Sequence, residues 1–189
     1  LNLMVNLKQL GHEVIAIAPE KKERSAQFEL AGVPFEAVAI SGSGVNPGIE
    51  LLSGFNLYKV IRRNKIDLIL SFTPKGNIYS GSAALLYGIP FVPNISGLGR
   101  SFVHRSYVAH VVSLLYRATL GRAYRVFFQN KDDLSTFVQA GLVPLQKCHR
   151  LPGSGVDIER FKPASLPDRP ADCPVFLLVA RMLWDKGVG

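Results

Sequence analysis

The chain has 189 residues, 48% hydrophobic and 19% charged, enough apolar side chain for one good core but short for two full domains. A net charge of +8 and an isoelectric point near 9.7 favour anionic partners, but there is no Gly-x-x-x-x-Gly-Lys-[Ser/Thr] loop, Cys/His zinc spacing or RNA-binding aromatic signature, so nucleic acid ranks last. Cys148 and Cys173 are too few for a disulfide scaffold and read as reduced cytoplasmic thiols, and no run approaches the ~18 apolar residues of a membrane span.

The first residues, LNLMVNLKQLGHEV, read as the interior of a helix, with Leu3, Leu7 and Leu10 at helical spacing and Gly11 closing it. A doubly wound domain places a strand before such a helix. The sequence is therefore expected to be a fragment without its first strand, and a signal or anchor ahead of it stays open. Residues 13–18 (EVIAIA) form the next strand, 21–31 a charged helix ended by Gly32, and 34–40 (PFEAVAI) another strand.

Residues 41–48 (SGSGVNPG) are turn formers and read as a loop at a cleft edge; the G-x-G-x-x-G spacing of a dinucleotide site is not met. Residues 50–65 are helical. At about 100° per residue Lys59, Arg62 and Arg63 fall within about 100° of arc, opposite Leu57, Val60 and Ile61. That face is either simply solvated or rests against anionic lipid.

Residues 67–72 (DLILSF) form a buried strand running into Thr73-Pro74-Lys75-Gly76-Asn77. A helix start attracts anions through its free N–H groups, which makes Thr73, Lys75 and Asn77 acceptor-contact candidates. The competing reading has Thr73 as a cap and Lys75 in water. A helix over 78–87 follows, its small residues suited to close packing, and then a short strand over 91–94. Ser96, Gly97, Gly99 and Arg100 come next, glycines and a cation at a strand's carboxyl end, and are read as lining a cleft.

Residues 101–122 read as a long helix ringed by Arg105, Arg117 and Arg122, and 125–129 (RVFFQ) as a buried strand leading to Asn130. There, capping and a place near the cleft are both open. LPGSGVDIERFKP, with Gly153, Gly155 and Asp157, reads as a turn and hinge. The run at 175–179 (VFLLV) is expected to be a buried parallel strand. Arg181 and Lys186 stand at its carboxyl end, where ligands of open α/β sheets bind, so two cations there suggest a diphosphate; the competing reading pairs Arg181 with Asp185 and leaves Lys186 as a solvated turn lysine.

GSGVDIERFKP followed by LLVARMLWDKG resembles the inter-domain crossing of family 4 retaining glycosyltransferases, whose GT-B fold sets two Rossmann-like domains across a cleft. TPKGNIYSGSAALLYGIPFVPNISGLGRSF, FFQNKDDL and LPGSGVDIERF narrow the resemblance to a bacterial branch. That branch adds N-acetylhexosamines or related sugars to polyprenyl-diphosphate-linked acceptors, and includes the N-acetylgalactosaminyltransferases of glycoprotein and surface-polysaccharide assembly. One departure is plain: many family members carry a donor-contacting histidine where this chain has Ser96-Gly97-Leu98-Gly99, and no motif aligns His104 with it.

The resemblance implies an α/β, Rossmann-like doubly wound parallel sheet over 1–163, a linker over 164–174, and the start of a nucleotide-sugar-binding domain over 175–189 with only its first strand. It implies that Arg181 and Lys186 bind the donor diphosphate. The family's paired glutamates would fall beyond Gly189, so the piece alone is expected to be inactive. Implied partners are a nucleotide-diphosphate sugar, a UDP-sugar first among them, as co-substrate with no cofactor or metal, a polyprenyl-diphosphate-linked acceptor, and an anionic membrane surface. The implied place is the cytoplasm, at the inner membrane's cytoplasmic face. A nucleotide-sugar 2-epimerase of the same architecture and a non-catalytic binding module are the alternatives.

Overall fold

The computed structural model describes residues 1–40, 46–97, 107–153, 155–159, 161–163 and 176–179. Strands and helices alternate: α1 Asn2–Gln9, β1 Ala16–Ala18, α2 Lys22–Leu30, β2 Phe35–Ala37, α3 Pro47–Arg63, β3 Ile69–Phe72, α4 Pro74–Tyr87, β4 Phe91–Ile95, α5 Tyr107–Leu120, β5 Val126–Phe128, α6 Lys131–Gln139 and β6 Cys148–Arg150. Every strand pairing among the described residues is parallel. The fold is α/β and Rossmann-like, as the alternation of apolar runs and amphipathic segments leads one to expect.

The strands fall into two sheets, β1-β2 and β3-β4-β5-β6, with no ladder between β1 and β3 among the described residues. The link between them is α3. Its last turn carries Arg63, which pairs with Glu36 of β2, and the next residue, Asn64, donates to the same carboxylate at 2.7 Å. Ser53, Leu57, Val60 and Ile61 bury the inner face of α3.

Local chemistry sets the helix ends. The Asn46 side chain accepts from the Gly48 and Ile49 amides with Pro47 in the first turn, so α3 starts inside the glycine-rich stretch, three residues before the expected start. Gly88, left-handed at φ +69°, closes α4. Between α4 and α5 the chains approach at Gly81. A Cβ there would lie 2.7 Å from Cβ of Thr119 and 2.9 Å from the Phe91 ring.

Val126, Phe128, Phe137 and Tyr116 are almost fully buried, and Phe137 meets the Tyr116 and Phe128 rings edge-on at 5.4 Å. Arg117 donates to the carbonyls of Gly141 and Ala140, holding α5 to the end of α6.

The chain divides into a compact unit, Leu1–Ser154, and a second, Gly155–Gly189. In the second, Asp157 makes a turn, its carboxylate accepting from the Glu159 amide at 3.1 Å and its carbonyl from the Phe161 amide at 2.9 Å. The run expected as a buried strand differs: Phe176, Leu177, Leu178 and Val179 pair with no described strand and are 64–92% exposed, while Val175 lies outside the described residues. An apolar run becomes a parallel strand only where other strands flank it and helices cover its faces.

Candidate functional site

Strand register places the candidate residues. Phe72 lies opposite Asn94, Ile95 opposite Phe128, and Phe128 opposite Arg150, so β3 to β6 end level with one another. The residues that follow, Thr73, Ser96 with Gly97, Asn130, and 151–153, share the carboxyl edge of one parallel sheet. This is where the strand-to-helix turns of open α/β sheets hold ligands.

Thr73 is exposed and takes φ +70°, a conformation that β-branched residues rarely adopt. Its carbonyl accepts the Asn77 amide at 2.8 Å and starts α4, while its hydroxyl makes no capping bond. The expected side-chain cap is thus absent, and α4 begins four residues earlier than the sequence suggests, with Pro74 in its first turn. Strain at such a turn is a recurrent mark of ligand-binding loops.

Two candidates on α4 are engaged by other residues of the protein. Asn77 is 1% exposed. Its side-chain carbonyl accepts from the Ser71 hydroxyl at 2.6 Å and its amide donates to the Asn94 carbonyl at 3.1 Å, so it joins β3 to β4 beneath the edge and is not a cleft contact. A polar side chain this deep must satisfy its hydrogen bonds inside the protein. Lys75, partly exposed, is paired instead of simply solvated: its ammonium lies 2.8 Å from Glu50 of α3, whose other carboxylate oxygen accepts the Tyr79 hydroxyl.

Along the rest of the edge, Ser96 is exposed and Gly97 sits at φ +150°. The Asn130 side chain is engaged in capping α6: it accepts from the Asp133 amide at 2.7 Å and donates to the Asp133 carboxylate at 2.7 Å. Gly153 and Gly155 both have left-handed φ, +80° and +73°, a conformation that glycine adopts at no steric cost. Gly99, Arg100, His104, Arg181 and Lys186 lie outside the described residues.

The sequence reading missed Glu50, Tyr79 and Ser71, each of which acts through a partner on another element. It also missed Asn94, whose buried side-chain oxygen has no hydrogen-bond partner among the described residues. No local signal marks them. Burial pushes the Cys148 thiol up, and its Sγ donates to the Pro144 carbonyl at 3.5 Å, an inert setting for a thiol. Among the described residues no three His, Cys, Asp or Glu gather as a metal site. No helix of the described residues is long and apolar enough to cross a membrane.

Comparison with known proteins adds the family. Residues 1–154 match the glycosyl transferase 4-like domain. The chain is 25% identical over 197 residues to the N,N'-diacetylbacillosaminyl-diphospho-undecaprenol alpha-1,3-N-acetylgalactosaminyltransferase of Campylobacter jejuni, a match covering 96% of this chain and 52% of that protein. Among solved structures, Anabaena HepE in complex with UDP-glucose superposes with a TM-score of 0.62 at 17% identity, over 86% of this chain and 42% of that one. A glycosyltransferase from Rickettsia africae superposes with a TM-score of 0.60 at 16% identity, over 87% and 41%. The chain thus spans about half the length of the curated relative it matches.

Proposed function

The chain belongs to the glycosyl transferase 4-like family, and on that premise we propose that its protein moves a hexose or N-acetylhexosamine from a nucleotide-diphosphate sugar, a UDP-sugar first, to a polyprenyl-diphosphate-linked saccharide. Transfer proceeds with retention, in surface polysaccharide or glycoprotein glycan assembly at the cytoplasmic face of the membrane. The nucleotide sugar is a co-substrate and no further cofactor takes part.

The observation that carries this reading is the level carboxyl edge of β3 to β6, with strained Thr73 and the Ser96-Gly97 turn on it. We assign Thr73, Ser96, Gly97, Gly99 and Arg100 to the acceptor side. Breaking the bond to the nucleoside diphosphate develops negative charge on the leaving phosphate, and preorganised cations are the largest single stabilisation available to it. Arg181 and Lys186 take that role in this proposal. An epimerase would need acid/base carboxylates in the cleft; near the described edge Glu50 and Asp133 are engaged, by Lys75 with Tyr79 and by Asn130, while Asp132 is exposed in the first turn of α6.

The test is a panel of nucleotide sugars screened by thermal shift, since a ligand that binds the folded state raises Tm by mass action, followed by transfer to a polyprenyl-diphosphate-linked acceptor. The Arg181→Ala, Lys186→Ala variant is expected to bind the selected donor roughly a hundredfold more weakly, as two charge-assisted contacts are lost. Unchanged donor affinity removes the assignment.

A further inference from the structure

The amino edge of the four-stranded sheet, opposite the candidate cleft, holds a groove of about 540 Å³, a volume within the range of small-molecule sites. It lies where α4 and α5 end and β4, β5 and β6 begin. Its apolar lining runs from buried Ala84 and Phe91 to the more open Leu85, Ile89 and Pro90, and the Tyr124 ring, 64% exposed, lines it too. β4 runs from Phe91 in this groove to Ile95 at the carboxyl edge, four residue steps or about 13 Å, so the groove and the cleft are separate places.

Arg122 and Lys147 line the groove, and no Asp or Glu does. The fold uses Lys147: its Nζ donates to the Gly121 carbonyl at 2.8 Å, as a cation past the carboxyl end of a helix is placed to do. It does not use Arg122, which is exposed and whose guanidinium has no hydrogen-bond or ion-pair partner among the described residues. Arg125 adds a third cation beside them, its guanidinium 5.2 Å from the centre of the Tyr124 ring. A smaller groove of about 380 Å³ between α2 and β2 lacks this complement, since Glu29 is the charged residue that lines it.

We propose that this groove is a second ligand site, built for a small amphipathic anion: one phosphate or carboxylate on an apolar ring or chain. The anionic group meets Arg122, with Lys147 beside it, and the apolar body covers Leu85, Ile89 and Pro90. Apolar surface gains by leaving water, and a guanidinium fork takes a phosphate or carboxylate through paired hydrogen bonds. An occupant there touches none of the residues assigned to the donor or the acceptor, so the site is additional to sugar transfer.

Heteronuclear NMR of the 189-residue chain tests it, with phenyl phosphate and octanoate as probes and inorganic phosphate and benzyl alcohol as separate halves. A probe that binds should shift the amide signals of Leu85, Gly88, Phe91, Ala123 and Tyr124, and the tighter of the two tells a phosphate on a ring from a carboxylate on a chain. Each half should bind about tenfold more weakly or worse. Arg122→Ala should weaken binding about tenfold, and Leu85→Glu at least as much because it sets a like charge against the anion. Both side chains are exposed, so circular dichroism and Tm should match the parent. No shifts at these residues with either probe, or folded variants that bind within about twofold of the parent, overturn the proposal. Inorganic phosphate binding as tightly as phenyl phosphate makes the place a simple anion patch and overturns it too. No nucleotide sugar enters these measurements, so their failure leaves the transferase reading standing.

Discussion

Lys75 Nζ on α4 lies 2.8 Å from Oε1 of Glu50 on α3, and this ion pair holds the first turns of two helices together beside the sheet's carboxyl edge. Both side chains are less than a third exposed, and the second carboxylate oxygen takes the Tyr79 hydroxyl. Replacing Glu50 by Ala removes the carboxylate that the partly buried ammonium and the phenol share, a loss of about 1–3 kcal/mol. Glu50→Gln keeps one acceptor oxygen and should cost less. Urea midpoints of the two variants check the order, and a Glu50→Ala midpoint equal to the parent's would contradict it.

Asn77 makes a sharper case because its partners are backbone and buried hydroxyl. Asn77→Ala strands the Ser71 hydroxyl and takes a donor from the Asn94 carbonyl, costing about 1–3 kcal/mol. Any activity loss in this variant should track its loss of folded protein, with the KM for acceptor unchanged. A rise in KM at full folding would return Asn77 to the cleft.

At Gly81 two effects compete. Alanine is the better helix former by about 1 kcal/mol, but its Cβ would press within 2.7 Å of Thr119 and 2.9 Å of Phe91. Overpacking of this kind costs about 1–3 kcal/mol, so Gly81→Ala should lower Tm by several degrees. A raised Tm would mean that α4 can shift away from α5.

Tyr116 supplies a pH dependence. Burial raises its pKa, partly offset by a hydrogen bond with Asn77, and in the unfolded chain the phenol ionises near pH 10. Above that pH the unfolded state binds fewer protons than the native state, so stability falls as pH rises, by at most ~1.4 kcal/mol per pH unit from this group. Tyr116→Phe lacks the ionisation. Between pH 8 and 11 the variant should gain stability relative to the parent, and a constant difference in urea midpoints would exclude the effect.

The order of elements was readable because each signal is local. Asn46 and Pro47 start α3, Gly88 ends α4, and alternating or continuous apolar runs mark β1 to β5 within a few residues. The candidate edge was partly readable for the same reason: the turns after β3, β4 and β5 fall at strand ends wherever the strands are placed. The roles of Lys75 and Asn77 were not. Glu50 is 25 residues from Lys75, and the Asn94 carbonyl 17 from Asn77, and no window of sequence that short shows which helix lies against which.

Periodicity and turn chemistry are properties of neighbouring residues, and from these the primary structure alone settled the α/β alternation, whereas the parallel sheet and the family were legible only through the resemblance its motifs bear to a known one. Whether a given polar group meets solvent or a partner depends on through-space packing. Three-dimensional folding therefore buried Asn77, paired Lys75, left Leu51, Leu52 and Phe55 uncovered, and set β1-β2 apart from the other four strands. Free energy of desolvation is fixed by what surrounds a side chain, and those surroundings come from residues distant in the chain.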